Sequence, residues 1–81
     1  MTGRVLDRDG RGVYGAHISM EDQHGNIVWA TTNPFGYFRF MNVETGHTYL
    51  IAPRSKRFTF EPRAMSISDD VTGLAFTPVE P

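Results

Sequence analysis

Cysteine is absent from the 81-residue chain, and this one absence excludes several kinds of site. Disulfide bonds, thiolate metal centres and cysteine nucleophiles all need the thiol group. Long apolar runs are absent too: none approaches the ~20 residues of a membrane-spanning helix, so we expect no membrane insertion. No window keeps apolar residues at helical spacing over three turns, and this predicts almost no helix.

An excess of charge of either sign is also absent. Eight Lys and Arg residues against nine Asp and Glu residues give a net charge of -1, so no bulk attraction to nucleic acid or acidic membrane is expected. Hydrophobic content of 40% and charged content of 21% are typical of a globular domain. The length corresponds to one small domain. We assign residues 1–77 to that domain and residues 78–81 to a proline-rich tail or linker.

Turn signals rich in Gly, Pro, Asn and Asp recur every ~8–12 residues, as in an antiparallel sandwich or barrel. These turns lie at 7–12, 24–26, 33–36, 44–46, 61–62 and 68–70. Apolar and polar residues alternate between them, which is typical of half-buried strands. The pattern predicts seven strands near 2–6, 15–22, 27–32, 37–42, 47–53, 63–68 and 72–77.

Each predicted strand has one apolar face, so the seven should form two antiparallel sheets that cover each other. The fold class predicted is therefore all-β, a seven-stranded antiparallel sandwich. The expected inner face comprises Val5, Ala16, Ile18, Met20, Val28, Ala30, Phe38, Phe40, Val43, Tyr49, Ile51, Phe58, Phe60, Met65, Ile67, Leu74 and Phe76.

Four ordered blocks resemble carboxypeptidase regulatory-like domains. Residues 3–16 follow the pattern GxVxDxxGxxVxGAxV, and residues 31–40 follow TTxxxGxFxF. Residues 43–49 follow VxxGxxY, and the segments 58–62 and 74–76 match the C-terminal half of the pattern. The resemblance implies a prealbumin-like (transthyretin-like) sandwich with Greek-key connections. It also implies a non-catalytic module of larger secreted or cell-surface proteins, many of them bacterial.

The N-terminal residues have no apolar segment of the kind found in a signal peptide. Met1 comes directly before a predicted strand. We therefore expect the chain to be part of a longer exported protein, in which it acts as a spacer, a folding support or a protein–protein docking module.

No catalytic residue is assigned. The three histidines, His17, His24 and His47, lack metal-ligand spacing, and no C-terminal Tyr-Arg-Gly-Ser is present, unlike in the hydrolases of the transthyretin fold. The loop from Asp7 begins like a calcium loop, but Arg11 and Ile18 stand where ligands are needed. We expect a tight turn there, with no metal and no cofactor.

Arg54, Lys56, Arg57 and Arg63 flank two phenylalanines and superficially resemble a nucleic-acid strip. The alternation directs Phe58 and Phe60 inward, which leaves no stacking platform, so we expect no nucleic-acid partner. The charges are expected to be solvated and to protect a sheet edge from aggregation.

The outer face carries the candidate binding residues. The alternation directs Trp29, Tyr37, Arg39, Ile27 and Met41 outward as a patch on one sheet. Three interpretations remain open at this point. Trp29 covers its own sheet, or the patch docks a neighbouring domain or another protein, or it forms a carbohydrate-stacking platform built on Trp29, Tyr37 and Arg39.

Overall fold

The computed structural model describes residues 1–41, 43–68 and 73–79. These residues form seven strands and no helix, which confirms the predicted all-β class. The strands are β1 (Thr2–Val5), β2 (His17–Glu21), β3 (Ile27–Thr31), β4 (Tyr37–Arg39), β5 (His47–Arg54), β6 (Arg63–Ile67) and β7 (Leu74–Phe76). Each overlaps its predicted segment. The predicted strand residues 42 and 72, most of the predicted turn at 68–70, and residues 80–81 of the tail lie outside the described residues.

Three of the turns share one hydrogen-bond pattern. An Asp or Asn side-chain Oδ1 accepts the backbone N–H groups two and four residues later, at 2.9–3.0 Å. A glycine with φ of +82° to +84° stands at the fourth position, where other residues would be strained. The three turns start at Asp7, Asp22 and Asn33. Each is a local device that reverses the chain, as the turn signals predicted.

The strands form a three-stranded sheet in the order β4-β1-β7 and a four-stranded sheet in the order β3-β2-β5-β6. The prediction of purely antiparallel pairing was wrong at one place, because β1 and β7 run parallel. Parallel neighbours need a long connection, and here the whole four-stranded sheet lies between β1 and β7 in the sequence. The module is therefore a sandwich with one mixed sheet.

Gly3 of β1 allows the three-stranded sheet to bury an aromatic ring. Its register partner is Phe38 of β4, and a Cβ on Gly3 would overlap that ring. Phe38 packs edge-to-face with Phe40 at a centroid distance of 5.9 Å and also contacts Phe76. A side chain at position 3 would displace these rings, so the absence of a Cβ at Gly3 allows the rings to pack against β1.

The core agrees with the predicted inner face except at one position. Val5, Ala16, Ile18, Met20, Phe38, Phe40, Tyr49, Ile51, Phe60, Ile67, Leu74 and Phe76 are buried, and Ala30, Val43, Phe58 and Met65 pack against them. Val28 was predicted to face the core and is 50% exposed. The reason is geometric: three strands face four, so the outer strand β3 is incompletely covered. Met1 is an additional core residue that the prediction omitted.

Candidate functional site

Strand β3 is the most exposed apolar element of the described chain. Ile27 and Val28 are each 50% exposed and Trp29 is 56% exposed, although their side chains alternate between the two faces of the sheet. The strand carries no charged residue and no proline. It lies at the end of the four-stranded sheet, paired only with β2. Edge strands of this composition are a template for further pairing unless something covers them.

The backbone of β3 presents its free hydrogen-bonding groups at this edge. Asp22 N–H donates to the Asn26 carbonyl, and Thr32 N–H donates to the Ala16 carbonyl, both at 2.9 Å. Hydrogen-bonded and non-hydrogen-bonded pairs alternate in an antiparallel ladder. The Val28 and Ala30 backbone groups therefore bond to β2. The N–H and C=O groups of Ile27, Trp29 and Thr31 point outward.

The Trp29 side chain lies on the outer face, where its β2 register partner is Ser19 and the next strand contributes Ala52. These small residues leave much of the indole uncovered. The Arg54 guanidinium carbon lies 5.9 Å from the indole ring centroid, near the outer limit of a cation–π contact. Trp29 thus interacts with its own sheet and still exposes more than half of its surface.

Tyr37 and Arg39 do not share a sheet with Trp29, and the expectation of a single-sheet patch was wrong in this respect. Both belong to β4, the edge strand of the three-stranded sheet. The turn at Asn33 is closed by a hydrogen bond from its N–H to the Tyr37 carbonyl. After that bond the chain enters the three-stranded sheet, where β4 pairs with β1. There the Tyr37 ring contacts Arg4 of β1, whose guanidinium carbon lies 4.8 Å from the ring centroid.

The gap between β3 and β4 nevertheless brings the three predicted polar and aromatic residues to one place. Trp29, Tyr37 and Arg39 line a groove of about 480 Å³ between the two edges. Met41 lies farther along, where it and Val28 line a second groove of about 230 Å³. Ile27 lines neither groove and stays on the exposed face of β3. The candidate residues thus divide into an exposed strand and a groove beside it.

Four titratable side chains make local contacts, namely Asp7, Asp22, Glu44 and His47. The Asp7 carboxylate accepts two backbone N–H groups of its own turn, as the tight-turn expectation had it. His47 Nε2 lies 3.3 Å from a Glu44 carboxylate oxygen. The pKa of Asp22 is lowered, chiefly because its carboxylate accepts the Asn26 backbone N–H. Among the described residues no three His, Asp or Glu side chains gather as a metal site would need. No helix that could cross a membrane occurs in these ranges either.

The basic segment is also divided by the fold. Phe60 is buried and Phe58 is partly buried, as expected from the alternation. Arg63 is on β6, where its Nη2 donates to the Ala75 carbonyl and its guanidinium carbon lies 4.7 Å from the Phe76 ring centroid. Sequence reasoning missed that the other three cations line a depression with Tyr14 and His17. No sequence motif joins Tyr14 or His17 to the basic segment, so only the fold brings these residues together.

Residues 1–77 match the family model of the carboxypeptidase regulatory-like domain. No curated protein is similar enough to the chain to count as a match. The family has the prealbumin-like fold, in agreement with the two packed sheets seen here. The family's members are non-catalytic regulatory or structural modules. The chain belongs to the carboxypeptidase regulatory-like domain family.

Proposed function

We propose that the chain is a docking module of a larger secreted or cell-surface protein. Its partner is a neighbouring domain of the parent chain or another protein, and the contact is made through β3. The observation that carries the proposal is the exposure of both faces of an uncharged edge strand. The exported location is part of the proposal and is supported by the resemblance of the sequence to modules of such proteins.

The free edge of β3 favours a partner that contributes an extended segment. The outward N–H and C=O groups of Ile27, Trp29 and Thr31 match the hydrogen-bonding groups of an added strand. Side-chain contacts at Ile27 and Trp29 would then provide specificity, as in other cases of strand addition. Tryptophan is among the residues most enriched at binding hot spots, where truncation commonly costs ~2 kcal/mol or more of binding free energy. Trp29 is therefore the expected anchor.

A longer chain that carries the flanking sequence provides the test. We expect the emission of Trp29, the only tryptophan of the 81 residues, to shift to the blue in the longer chain as the indole becomes covered. Trp29→Ala should abolish the contact and leave the fold nearly as stable. Phe35→Ala is the matched control, because Phe35 is also an exposed aromatic residue but lies in a turn. An unchanged emission maximum in the longer chain contradicts a neighbouring domain as the partner, and equal effects of the two variants on the contact contradict docking through β3.

Carbohydrate binding is the second candidate. The groove lined by Trp29, Tyr37 and Arg39 favours it, because aromatic rings and a guanidinium suit a sugar. The placement of the two rings on different sheets counts against a flat stacking platform. Titration of the chain with a panel of soluble oligosaccharides separates the two functions. Saturable quenching of Trp29 by one oligosaccharide, lost in Tyr37→Ala, supports the sugar site and contradicts a purely protein-docking role.

A further inference from the structure

A further depression lies where β5 ends, and its lining includes Arg54, which also contacts Trp29. It has a volume of about 480 Å³, and its lining includes Tyr14, His17, Arg54, Lys56 and Arg57. β5 ends at Arg54, and the chain bends at 56–57. This bend places three basic side chains around one concave surface, next to an aromatic side chain, Tyr14, that is 71% exposed.

The positive charge of this depression is not neutralised within the described chain. In the described ranges no Asp or Glu carboxylate lies within ion-pair distance of Arg54, Lys56 or Arg57. Three of the eight Lys and Arg residues thus occupy four consecutive positions of a chain whose net charge is -1. Such a local concentration of one sign attracts counter-ions to a concave surface.

The hydrogen-bond donors of the depression are also available. The guanidinium carbon of Arg54 lies over the Trp29 ring, and that of Arg57 lies 5.5 Å from the Phe58 ring centroid. Aromatic rings position a guanidinium but provide no oxygen acceptor, so its N–H groups can still bind an oxyanion. The Nδ1 atom of His17 is 3.3 Å from the Thr31 hydroxyl. This contact leaves the His17 Nε2 atom free for a ligand.

We propose that this depression binds a doubly charged tetrahedral oxyanion, namely the phosphate group of a small phosphate monoester. A single carboxylate would offer one negative charge to three basic side chains, whereas a doubly charged tetrahedral group accepts hydrogen bonds in several directions. The Tyr14 ring is placed to contact the body of the ligand beside the anionic group. This site adjoins the docking surface of β3 through the contact between Arg54 and Trp29, and neither requires the other.

Arg54 links the site to a spectroscopic signal. It lines the depression and also contacts Trp29. An oxyanion that accepts hydrogen bonds from the Arg54 guanidinium therefore changes the surroundings of the indole. Titration with inorganic phosphate and with sulfate, against sodium chloride at equal ionic strength, should therefore change Trp29 emission saturably. Raising the salt concentration should weaken binding, since the contacts are electrostatic and exposed. Glucose 6-phosphate should then bind more tightly than glucose 6-sulfate, because a sulfate monoester carries only one negative charge.

The variant Lys56→Gln/Arg57→Gln tests the assignment, because both side chains are exposed and their loss should leave the fold intact. We expect the Kd for inorganic phosphate to rise at least about tenfold, as charge-assisted contacts are lost. Arg11→Gln is a control, since it removes one exposed charge from the turn that starts at Asp7 and Arg11 does not line the depression, and it should leave the Kd unchanged. Amide spectra of each variant verify folding.

Three results would overturn the proposal. The first is an emission change that chloride reproduces at the same ionic strength. The second is a double variant that binds phosphate as the parent chain does. The third is an equal loss in Arg11→Gln, which would mean that the net charge alone attracts the anion. Arg54→Lys adds a further check: it keeps the charge but loses the planar donor pair, so it should weaken binding and reduce the Trp29 response.

Discussion

Strands β3 and β4 follow each other in the chain and are joined by one tight turn, but they differ in how much of each strand is buried. In β4, Phe38 is buried while Tyr37 and Arg39 on either side are exposed. In β3, Ile27, Val28 and Trp29 are all exposed in succession. Both strands have the alternating or apolar composition of a half-buried strand. The difference therefore comes from what lies opposite each strand and not from the composition of the strand itself.

The mismatch between three strands and four explains the difference. Each strand of the smaller sheet is covered by the larger one, and Phe38 and Phe76 pack against each other within that layer. The larger sheet has one strand more than the smaller sheet can cover. Its outer strands β3 and β6 accordingly show mainly exposed residues, while the central strands β2 and β5 bury alternate side chains. A sandwich of three strands against four therefore leaves an apolar strand of the larger sheet uncovered.

The largest expected effect compares an aromatic residue from each strand. Phe38→Ala should reduce the free energy of unfolding by about 3–5 kcal/mol, because it removes a buried ring and leaves a cavity beside Gly3. Trp29→Ala, in the uncovered strand, should cost less than ~1 kcal/mol. Chemical denaturation of both variants measures the difference. Similar losses would mean that Trp29 is as much a part of the core as Phe38.

The second comparison concerns the two backbone edges of β3. Val28→Pro removes an N–H that bonds to the buried strand β2, and the unpaired acceptor should cost roughly 1–3 kcal/mol. Ile27→Pro removes an N–H that points outward, and proline is tolerated at such edge positions. We expect Ile27→Pro to retain most of the stability while it blocks addition of a partner strand. Thermal melts of the two variants provide the measurement. A larger loss of stability in Ile27→Pro than in Val28→Pro would mean that Ile27, and not Val28, bonds to β2.

A smaller effect is expected at the point where the chain leaves β3. Thr32 is buried, its Oγ1 donates to the Val13 carbonyl at 2.6 Å, and it accepts the Ala16 N–H at 2.9 Å. Thr32→Val keeps the shape but leaves these groups unpaired, which should cost about 1–2 kcal/mol. Thr32→Ser retains the hydroxyl and should lose less. If valine and serine behave alike in denaturant titrations, the hydroxyl contributes nothing measurable.

The smallest effect is a pH dependence in the turn that precedes β3. Because hydrogen bonds from Asn26 and His24 hold the pKa of Asp22 below its ordinary value of 3.8, the folded state favours the charged carboxylate. The resulting stability is present above pH about 4 and is lost as the pH falls through the lowered pKa. Asp22→Asn keeps the acceptor without a titration, as Asn33 does in its own turn. This variant should lose less stability than the parent chain between pH about 5 and 2. If the melting temperatures of the parent chain and of Asp22→Asn fall equally as the pH is lowered, Asp22 is not the source of the acid sensitivity.

Much of the fold could be predicted because it depends on local signals. The turn residues and the alternation located all seven strands and predicted two packed sheets, and the family resemblance implied the same sandwich. Alternation shows which side of a sheet a residue faces, but not whether another layer covers that side. Val28 was misplaced for this reason. The parallel pairing of β1 with β7 joins residues some 70 positions apart, and no local pattern encodes it.

The candidate site was only partly predictable for a related reason. Trp29 and Ile27 are exposed on β3, as the alternation indicated. The Asn33 turn has the hydrogen bonds of an ordinary hairpin, and such a turn normally joins neighbours in one sheet. Here the chain changes sheets after the turn, so Tyr37 and Arg39 face Trp29 across a groove. The convergence of Tyr14 with Arg54 likewise depends on where separate loops meet, which the sequence pattern does not specify.

The parallel pairing of β1 and β7 also determines how the module responds to tension. Because the two strands run in the same direction, the start of β1 and the end of β7 lie at opposite ends of their shared ladder. A force that pulls these two points apart slides the strands past each other and loads their hydrogen bonds together. An antiparallel terminal pair would instead open like a zipper, one bond at a time. The terminal strands therefore form a mechanical clamp. Its resistance to force depends on the unfolding rate under load and not on the equilibrium free energy of unfolding.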